Sequence, residues 1–110
     1  MEVTDDKSTP KHTRKQAQVD HAASISWRAR ILKIADKTSN LRALQQSPPP
    51  WPAARKTRYF AWAKKVVDGA RGVNATIDLA FDREYDKAVA AGLADPSFQW
   101  HVRQEIEGDD

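Results

Sequence analysis

One stretch of the sequence, residues 31–44, constrains the fold more than any other. Its apolar and small side chains recur every three or four residues in ILKIADKTSNLRAL, and at about 100° per residue they share one broad arc of a helix. The members of that arc are Trp27, Ile31, Ile34, Ala35, Thr38 and Leu41, with Leu32 at its edge. An arc this wide is typical of a helix surrounded by other helices.

A strip of polar side chains runs beside this arc. Asp36 and Asn40 are four residues apart and therefore project from the same side of the helix. Lys33 and Lys37 border Asn40. A carboxylate, an amide and two ammonium groups could bind a metal and a phosphate, or could form an ordinary polar edge. The pattern alone leaves both interpretations open.

Capping residues and prolines predict an all-α fold of about four helices. Thr9 is a candidate N-cap with Pro10 at the first helical position, and residues 24–26 are a second capping region before the central helix. Asn74 is a candidate cap for the last helix, which Gly92 ends. The proline run in QQSPPPWP separates the second helix from the third. The predicted helices cover about residues 10–22, 27–45, 53–70 and 75–91. No segment alternates with period two, so no strand is predicted.

The first predicted helix has almost no apolar side chains, and it must therefore pack against something else. At 110 residues the chain is one domain or part of one. It has no apolar run approaching the roughly 20 residues of a membrane span. It also contains no cysteine, which excludes disulfide and thiolate-metal scaffolds and favours a cytoplasmic location.

Charge is distributed unevenly along the chain. Residues 1–72 carry 15 Lys and Arg against 6 Asp and Glu, whereas residues 73–110 carry 3 against 9. The basic part coincides with the central helix and its neighbours, which indicates either an anionic ligand or a solvated basic face. A small basic nucleic-acid-binding protein is one alternative, although no DNA- or RNA-binding motif supports it.

Common catalytic and nucleotide-binding motifs are absent from the sequence. It contains no GxxxxGK[ST], GxGxxG or GxSxG motif. The histidines have no metal-ligand spacing and are predicted to lie on the surface: His12, His21 and His101. Four aromatic residues have core spacing on the predicted helices and are expected in the core: Trp27, Tyr59, Phe60 and Trp62.

Three separated stretches, in the same order along the chain, resemble one known family. They are TDDKSTPK with RKQAQVDHA after it, KIADKTSNLRAL in the central helix, and RYFAWAKKVVDGARGVN in the third helix. Together they resemble the HD-domain phosphohydrolases of the RelA/SpoT type, and most closely the small stand-alone alarmone hydrolases. The resemblance covers about residues 2–91.

The resemblance implies a helical HD fold that removes the 3′-diphosphate of (p)ppGpp with a bound divalent metal, usually Mn²⁺. In that family a His, an adjacent His–Asp pair and a later Asp hold the metal, and the later Asp matches Asp36. The family's substrate-site residues match Asn40, Lys11 and Tyr59. Arg14 and Lys15 fall in the same basic helix as Lys11.

The resemblance also implies that most of the metal site is missing from this sequence. The family's histidines, and the acidic residues that activate water, precede the stretch that matches Thr4–Lys11, so their positions are expected to lie before Met1. We therefore expect residues 1–92 to be the C-terminal part of an HD domain, with none of the family's catalytic residues and with only Asp36 of its metal ligands. Residues 93–110, which hold Phe98 and Trp100 and then turn acidic, are expected to be a tail of uncertain structure.

Two further expectations depend on this comparison. A polypeptide with one of four metal ligands should bind Mn²⁺ weakly and be inactive alone. The apolar arc around Ile31 and Ile34 should be partly uncovered, and this favours self-association or a partner. The alternative function is then a complementing subunit for a separate polypeptide that carries the His–Asp half.

Overall fold

The computed structural model describes residues 10–107. Within them it contains four long helices and one short one, and no strand. The helices are α1 (Lys11–His21), α2 (Trp27–Gln46), α3 (Ala53–Ala70), α4 (Ala75–Ala90) and α5 (Val102–Glu107). The predicted all-α fold is confirmed, and the four predicted helices match α1 to α4.

Side-chain caps and one glycine fix the helix ends that the sequence predicted. The Ser26 hydroxyl accepts a hydrogen bond of 3.2 Å from the Ala29 amide at the start of α2. The Asn74 side chain accepts one of 3.1 Å from the Ile77 amide at the start of α4. After α4, Gly92 adopts a φ of 78°, a conformation that disfavours residues with a Cβ atom.

The predicted start of the first helix is wrong by one residue. Pro10 has a ψ of 146°, which is extended, so it is the N-cap rather than the first helical residue. Its carbonyl accepts the first helical hydrogen bond, 3.1 Å from the Arg14 amide. The predicted cap Thr9, like the rest of residues 1–9, lies outside the described residues.

The core lies where α2 packs against α3 and α4. Its largest fully buried side chains are Phe60, Phe81, Ile34, Leu41, Val66 and Val67. Helix α1 packs against α3 and α5, so these two helices are the packing partners that the sequence analysis expected for this polar helix. The fold therefore places the basic residues of α1 beside the aromatic residues of α3.

The predicted apolar arc of α2 is only partly the buried face. Ile34 is 1% exposed and Ile31 is half-buried, so the arc around these two residues is uncovered only in part. Trp27 and Leu32, however, are 58% and 60% exposed, and the core position predicted for Trp27 is wrong. Lys33 and Lys37 are buried instead, because α3 and α4 pack on their side of α2 and long lysine stems can lie against apolar surface.

The segment after Gly92 contacts the bundle. Trp100 is 2% exposed and belongs to the core cluster, and its carbonyl accepts a hydrogen bond of 3.1 Å from the Lys65 Nζ atom. The short helix α5 follows it and packs against α1. None of the described helices combines the length and apolar character that a membrane span requires.

Candidate functional site

A cleft of about 300 Å³ lies between α1, α2 and α3. Four of the side chains that line it are cationic, and the full lining is Lys11, Arg14, Lys15, Gln18, Lys37, Asn40, Tyr59 and Trp62. A smaller recess of about 130 Å³ adjoins it and shares Lys11, Lys15 and Tyr59 with it. The fold thus brings together three of the four residues that the resemblance singled out, namely Lys11, Asn40 and Tyr59, from three different helices.

The fourth predicted residue, Asp36, lies at the rim of this cleft. The Asn40 Nδ2 atom donates to the Asp36 Oδ2 atom over 3.5 Å, and Lys37 Nζ is 3.6 Å from the same oxygen. The Asp36 side chain is 61% exposed. Its carboxylate is consequently accessible to a ligand, and its neighbours on α2 are an amide and an ammonium group.

The phenol of Tyr59 is held in its neutral form. Burial raises the pKa of Tyr59 above its ordinary value, the hydrogen bond with the Asn40 side chain partly opposes this, and the negative charge of Asp36 adds a smaller increase. A phenol with a raised pKa remains protonated at neutral pH. Tyr59 can therefore donate a hydrogen bond to an anionic group in the cleft.

Trp62 forms the floor of the cleft and was predicted only as a core residue. Its indole ring is 5% exposed, and Lys37 Nζ and Lys15 Nζ lie 4.3 and 5.0 Å from the ring centroid. Its Nε1 atom donates a hydrogen bond of 3.1 Å to the Lys15 carbonyl. The ring thus fixes α1 and attracts two ammonium groups by cation–π interactions. The sequence signal for this role was its position one helical turn after Tyr59.

The described residues do not by themselves form a metal site. Across residues 10–107 there is no group of three or more His, Cys, Asp or Glu side chains that could hold an ion. Asp36 offers one carboxylate, and a divalent transition-metal site needs several ligands in a fixed geometry. His21 and His101 are exposed, as predicted for surface histidines, and His12 is half-buried on α1.

The positions that match the family's catalytic residues are expected before Met1. The expectation that the chain carries none of those catalytic residues stays a prediction. The geometry of the candidate site is that of the cleft and of Asp36 at its rim.

A helical fold with an accessible carboxylate on α2 and a basic cleft beside it agrees with the resemblance to the HD-domain phosphohydrolases of the RelA/SpoT type. No family model matches the chain, but individual proteins do. The chain is 52% identical over 82 residues to the guanosine-3′,5′-bis(diphosphate) 3′-pyrophosphohydrolase MESH1 of Drosophila melanogaster, a match that covers 74% of the chain and 46% of that protein.

Other relatives have the same name and match a similar share of the chain. MESH1 of Xenopus tropicalis is 43% identical over 91 residues, or 81% of the chain and 51% of that protein. A solved structure of a metazoan SpoT orthologue, which hydrolyses ppGpp and plays a role in starvation responses, superposes with a TM-score of 0.73 at 49% identity. This match covers 78% of the chain and 49% of that structure. The chain belongs to the family of these MESH1 proteins, and it spans about half the length of the relatives it matches.

Proposed function

We propose that the chain forms the nucleotide-binding side of a guanosine-3′,5′-bis(diphosphate) 3′-pyrophosphohydrolase site. The observation that supports this most is the convergence of Lys11, Asn40 and Tyr59 on one cleft. These residues match the family's substrate-site positions and come from separate helices. The named relatives are pyrophosphohydrolases of this nucleotide. Because the chain has no cysteine, we expect it to function in the cytoplasm.

The chemistry of the lining suits a polyphosphorylated ligand. Lys11, Arg14, Lys15 and Lys37 place four cations around the cleft, and ammonium and guanidinium groups form short, charge-assisted hydrogen bonds with phosphate oxygens. Asn40 offers an amide that can both donate and accept, which suits the sugar or base of a nucleotide. The neutral Tyr59 phenol adds one more donor.

In this proposal Asp36 is one ligand of a metal site, with Mn²⁺ as the expected ion. Among the described residues, Asp36 belongs to no group of three or more His, Cys, Asp or Glu side chains that could hold an ion. We therefore propose that the chain alone binds the metal weakly and hydrolyses the nucleotide slowly or not at all.

Titration calorimetry with ppGpp in the absence of metal tests the nucleotide-binding part of the proposal. Lys11→Ala and Asn40→Ala should each weaken binding about tenfold, the scale of one hydrogen bond to a charged group. Lys64→Ala is the matched control, since Lys64 is also a lysine on a helix but pairs with Asp68 and does not line this cleft. Binding that is absent in the parent chain, or equal in all variants, contradicts the proposal.

Turnover tests the metal part. Purified chain with ppGpp and Mn²⁺ should release pyrophosphate at a rate close to that of the buffer alone. Rapid turnover that is lost in Asp36→Ala would instead show that the chain assembles a complete site.

An exposed apolar residue near Asp36 favours a second candidate function, that of a complementing subunit. Leu32 is one turn before Asp36 on α2 and is 60% exposed. A polypeptide that carries the His and His–Asp ligands could cover it and complete the site. Coexpression with the first half of a MESH1 relative should then restore hydrolysis. Leu32→Asp should abolish this, whereas Leu79→Asp, on the 50% exposed Leu79 of α4, should not.

A further inference from the structure

Glu105 on α5 has a buried carboxylate that contacts two other helices and the Trp100 indole. The carboxylate is 1% exposed, and its Oε1 atom accepts a hydrogen bond of 3.0 Å from Lys15 Nζ on α1. Its Oε2 atom accepts one of 2.9 Å from the Trp100 indole and lies 3.7 Å from the Nε atom of Arg58 on α3. Both oxygens are thus directed at cationic or N–H groups.

The two cations on Glu105 are themselves part of the binding region. The Lys15 and Arg58 side chains are only 12% and 13% exposed. Both line the recess beside Tyr59, and Lys15 also lines the main cleft. Two nearly desolvated cations in one recess repel each other, and a carboxylate between them offsets that repulsion.

We propose that Glu105 is a positioning residue for the phosphate-binding cleft, which it serves by fixing Lys15 and Arg58 in place. The proposal rests on the proposed function, because it takes the ligand to be a polyphosphorylated nucleotide. It assigns a role to the segment after Gly92, which the resemblance to the family does not cover. The carboxylate itself does not contact the ligand.

Two physical effects predict opposite results when this carboxylate is neutralised. If net charge alone governs binding, Glu105→Gln makes the cleft more positive and tightens the binding of an anion. If position governs binding, the same change weakens it. A glutamine has one acceptor oxygen instead of two, and its NH₂ group would face the Lys15 or Arg58 donors. The proposal therefore requires weaker binding despite the more favourable charge.

Glu84 on α4 provides a matched control. It is also a buried carboxylate, 8% exposed, and it pairs with Arg42 at 3.5 Å and Lys87 at 3.3 Å. It does not line either cleft beside Tyr59. Glu84→Gln thus removes a comparable buried charge without touching the candidate site.

Calorimetric titration with ppGpp compares the two variants. Glu105→Gln should weaken binding about tenfold, whereas Glu84→Gln should bind as the parent chain does. Unchanged or tighter binding by Glu105→Gln, or equal weakening in both variants, overturns the proposal. Differential scanning calorimetry gives the melting temperature of each variant, and both titrations are made well below that temperature.

Amine labelling tests the same contact without a nucleotide. Acetic anhydride acetylates exposed amines, and mass spectrometry of the peptide that contains Lys15 follows its rate. The rate at Lys15 should rise several-fold in Glu105→Gln and remain at the parent value in Glu84→Gln. If the parent chain fails to bind ppGpp, the proposed function fails and this labelling decides whether Glu105 holds Lys15. An unchanged rate at Lys15 overturns the inference.

Discussion

The two sides of the bundle are held together by different kinds of interaction. On one side α4 packs against α2 through fully buried apolar residues such as Phe81, Ala88 and Leu41. On the other side no residue of α1 is fully buried. Val19 packs against the core in part, and Lys15 contacts α3 and α5 through its backbone and side chain. Apolar burial is strong but non-directional, whereas hydrogen bonds and ion pairs fix the positions of individual groups. The side that carries the candidate site is the one built from directional contacts.

This difference implies unequal local stability. Helices held by few buried apolar contacts open more easily than the core, and hydrogen exchange measures that opening. We therefore expect α1 to exchange its amides faster than α2 and α4. The four predictions that follow test this comparison, from the largest expected effect to the smallest.

Phe81→Ala should have the largest effect, because it empties a fully buried position in the apolar side. A buried phenylalanine replaced by alanine costs about 3–5 kcal/mol of unfolding free energy. Urea denaturation measures this loss. Leu79→Ala on the same helix is the control, since Leu79 is 50% exposed and should cost well under about 1 kcal/mol. Similar losses in the two variants would contradict an apolar core at α4.

Trp62→Phe should have an intermediate effect that is concentrated at α1. The variant keeps an aromatic ring but removes the hydrogen bond from the indole to the Lys15 carbonyl. A hydrogen bond of this kind contributes about 0.5–1.5 kcal/mol, because the Lys15 carbonyl lies within α1 and keeps its helical hydrogen bond. Hydrogen exchange should accelerate in α1 more than in α4. Trp27→Phe is the control, because Trp27 is 58% exposed, and uniform acceleration in both helices would argue against a polar attachment of α1.

Tyr59 should make stability fall only at alkaline pH. Its pKa is raised above the ordinary value of 10.0. Below that value the phenol is protonated in both the folded and the unfolded chain. As the pH rises past it, the unfolded chain loses the proton first, so the free energy of unfolding decreases until the folded phenol ionises as well.

Ultraviolet titration of the phenolate measures this shift. Tyr85 also has a raised pKa, and burial is again the largest cause, so the parent chain should ionise entirely above the ordinary range. In Tyr85→Phe the remaining transition belongs to Tyr59 and should still lie above pH 10.0. A transition at or below that pH would show that the cleft does not bury this phenol.

Lys64→Ala should have the smallest effect. Lys64 and Asp68 form an ion pair of 2.9 Å on α3, but their side chains are 40% and 45% exposed. Such solvent-exposed pairs contribute about 0.3–0.5 kcal/mol. Thermal unfolding at low and high salt should differ little between this variant and the parent chain. A loss above about 1 kcal/mol would show that surface pairs matter as much as the buried contacts of α1.

Much of the fold could be predicted because its signals are local. The Ser26 and Asn74 caps, the proline run after α2 and the stop at Gly92 depend on residues close to each other in the chain, and the structure agrees with each of them. The buried faces were harder to predict. Trp27 was expected in the core but is exposed, whereas Lys37, on the polar strip of α2, is buried. Helical periodicity predicts which residues share a face, but it does not predict which face another helix covers.

The residues of the candidate site were also predictable only in part. The sequence by itself determined four candidate residues, because the helical spacing places Asp36 beside Asn40 and the similarity to a known family adds Lys11 and Tyr59. Only the tertiary structure decided that Trp62 supports two lysines and that Glu105 reaches Lys15. Glu105 and Lys15 lie at opposite ends of the chain, and such a contact depends on how α1, α3 and α5 pack rather than on any local pattern.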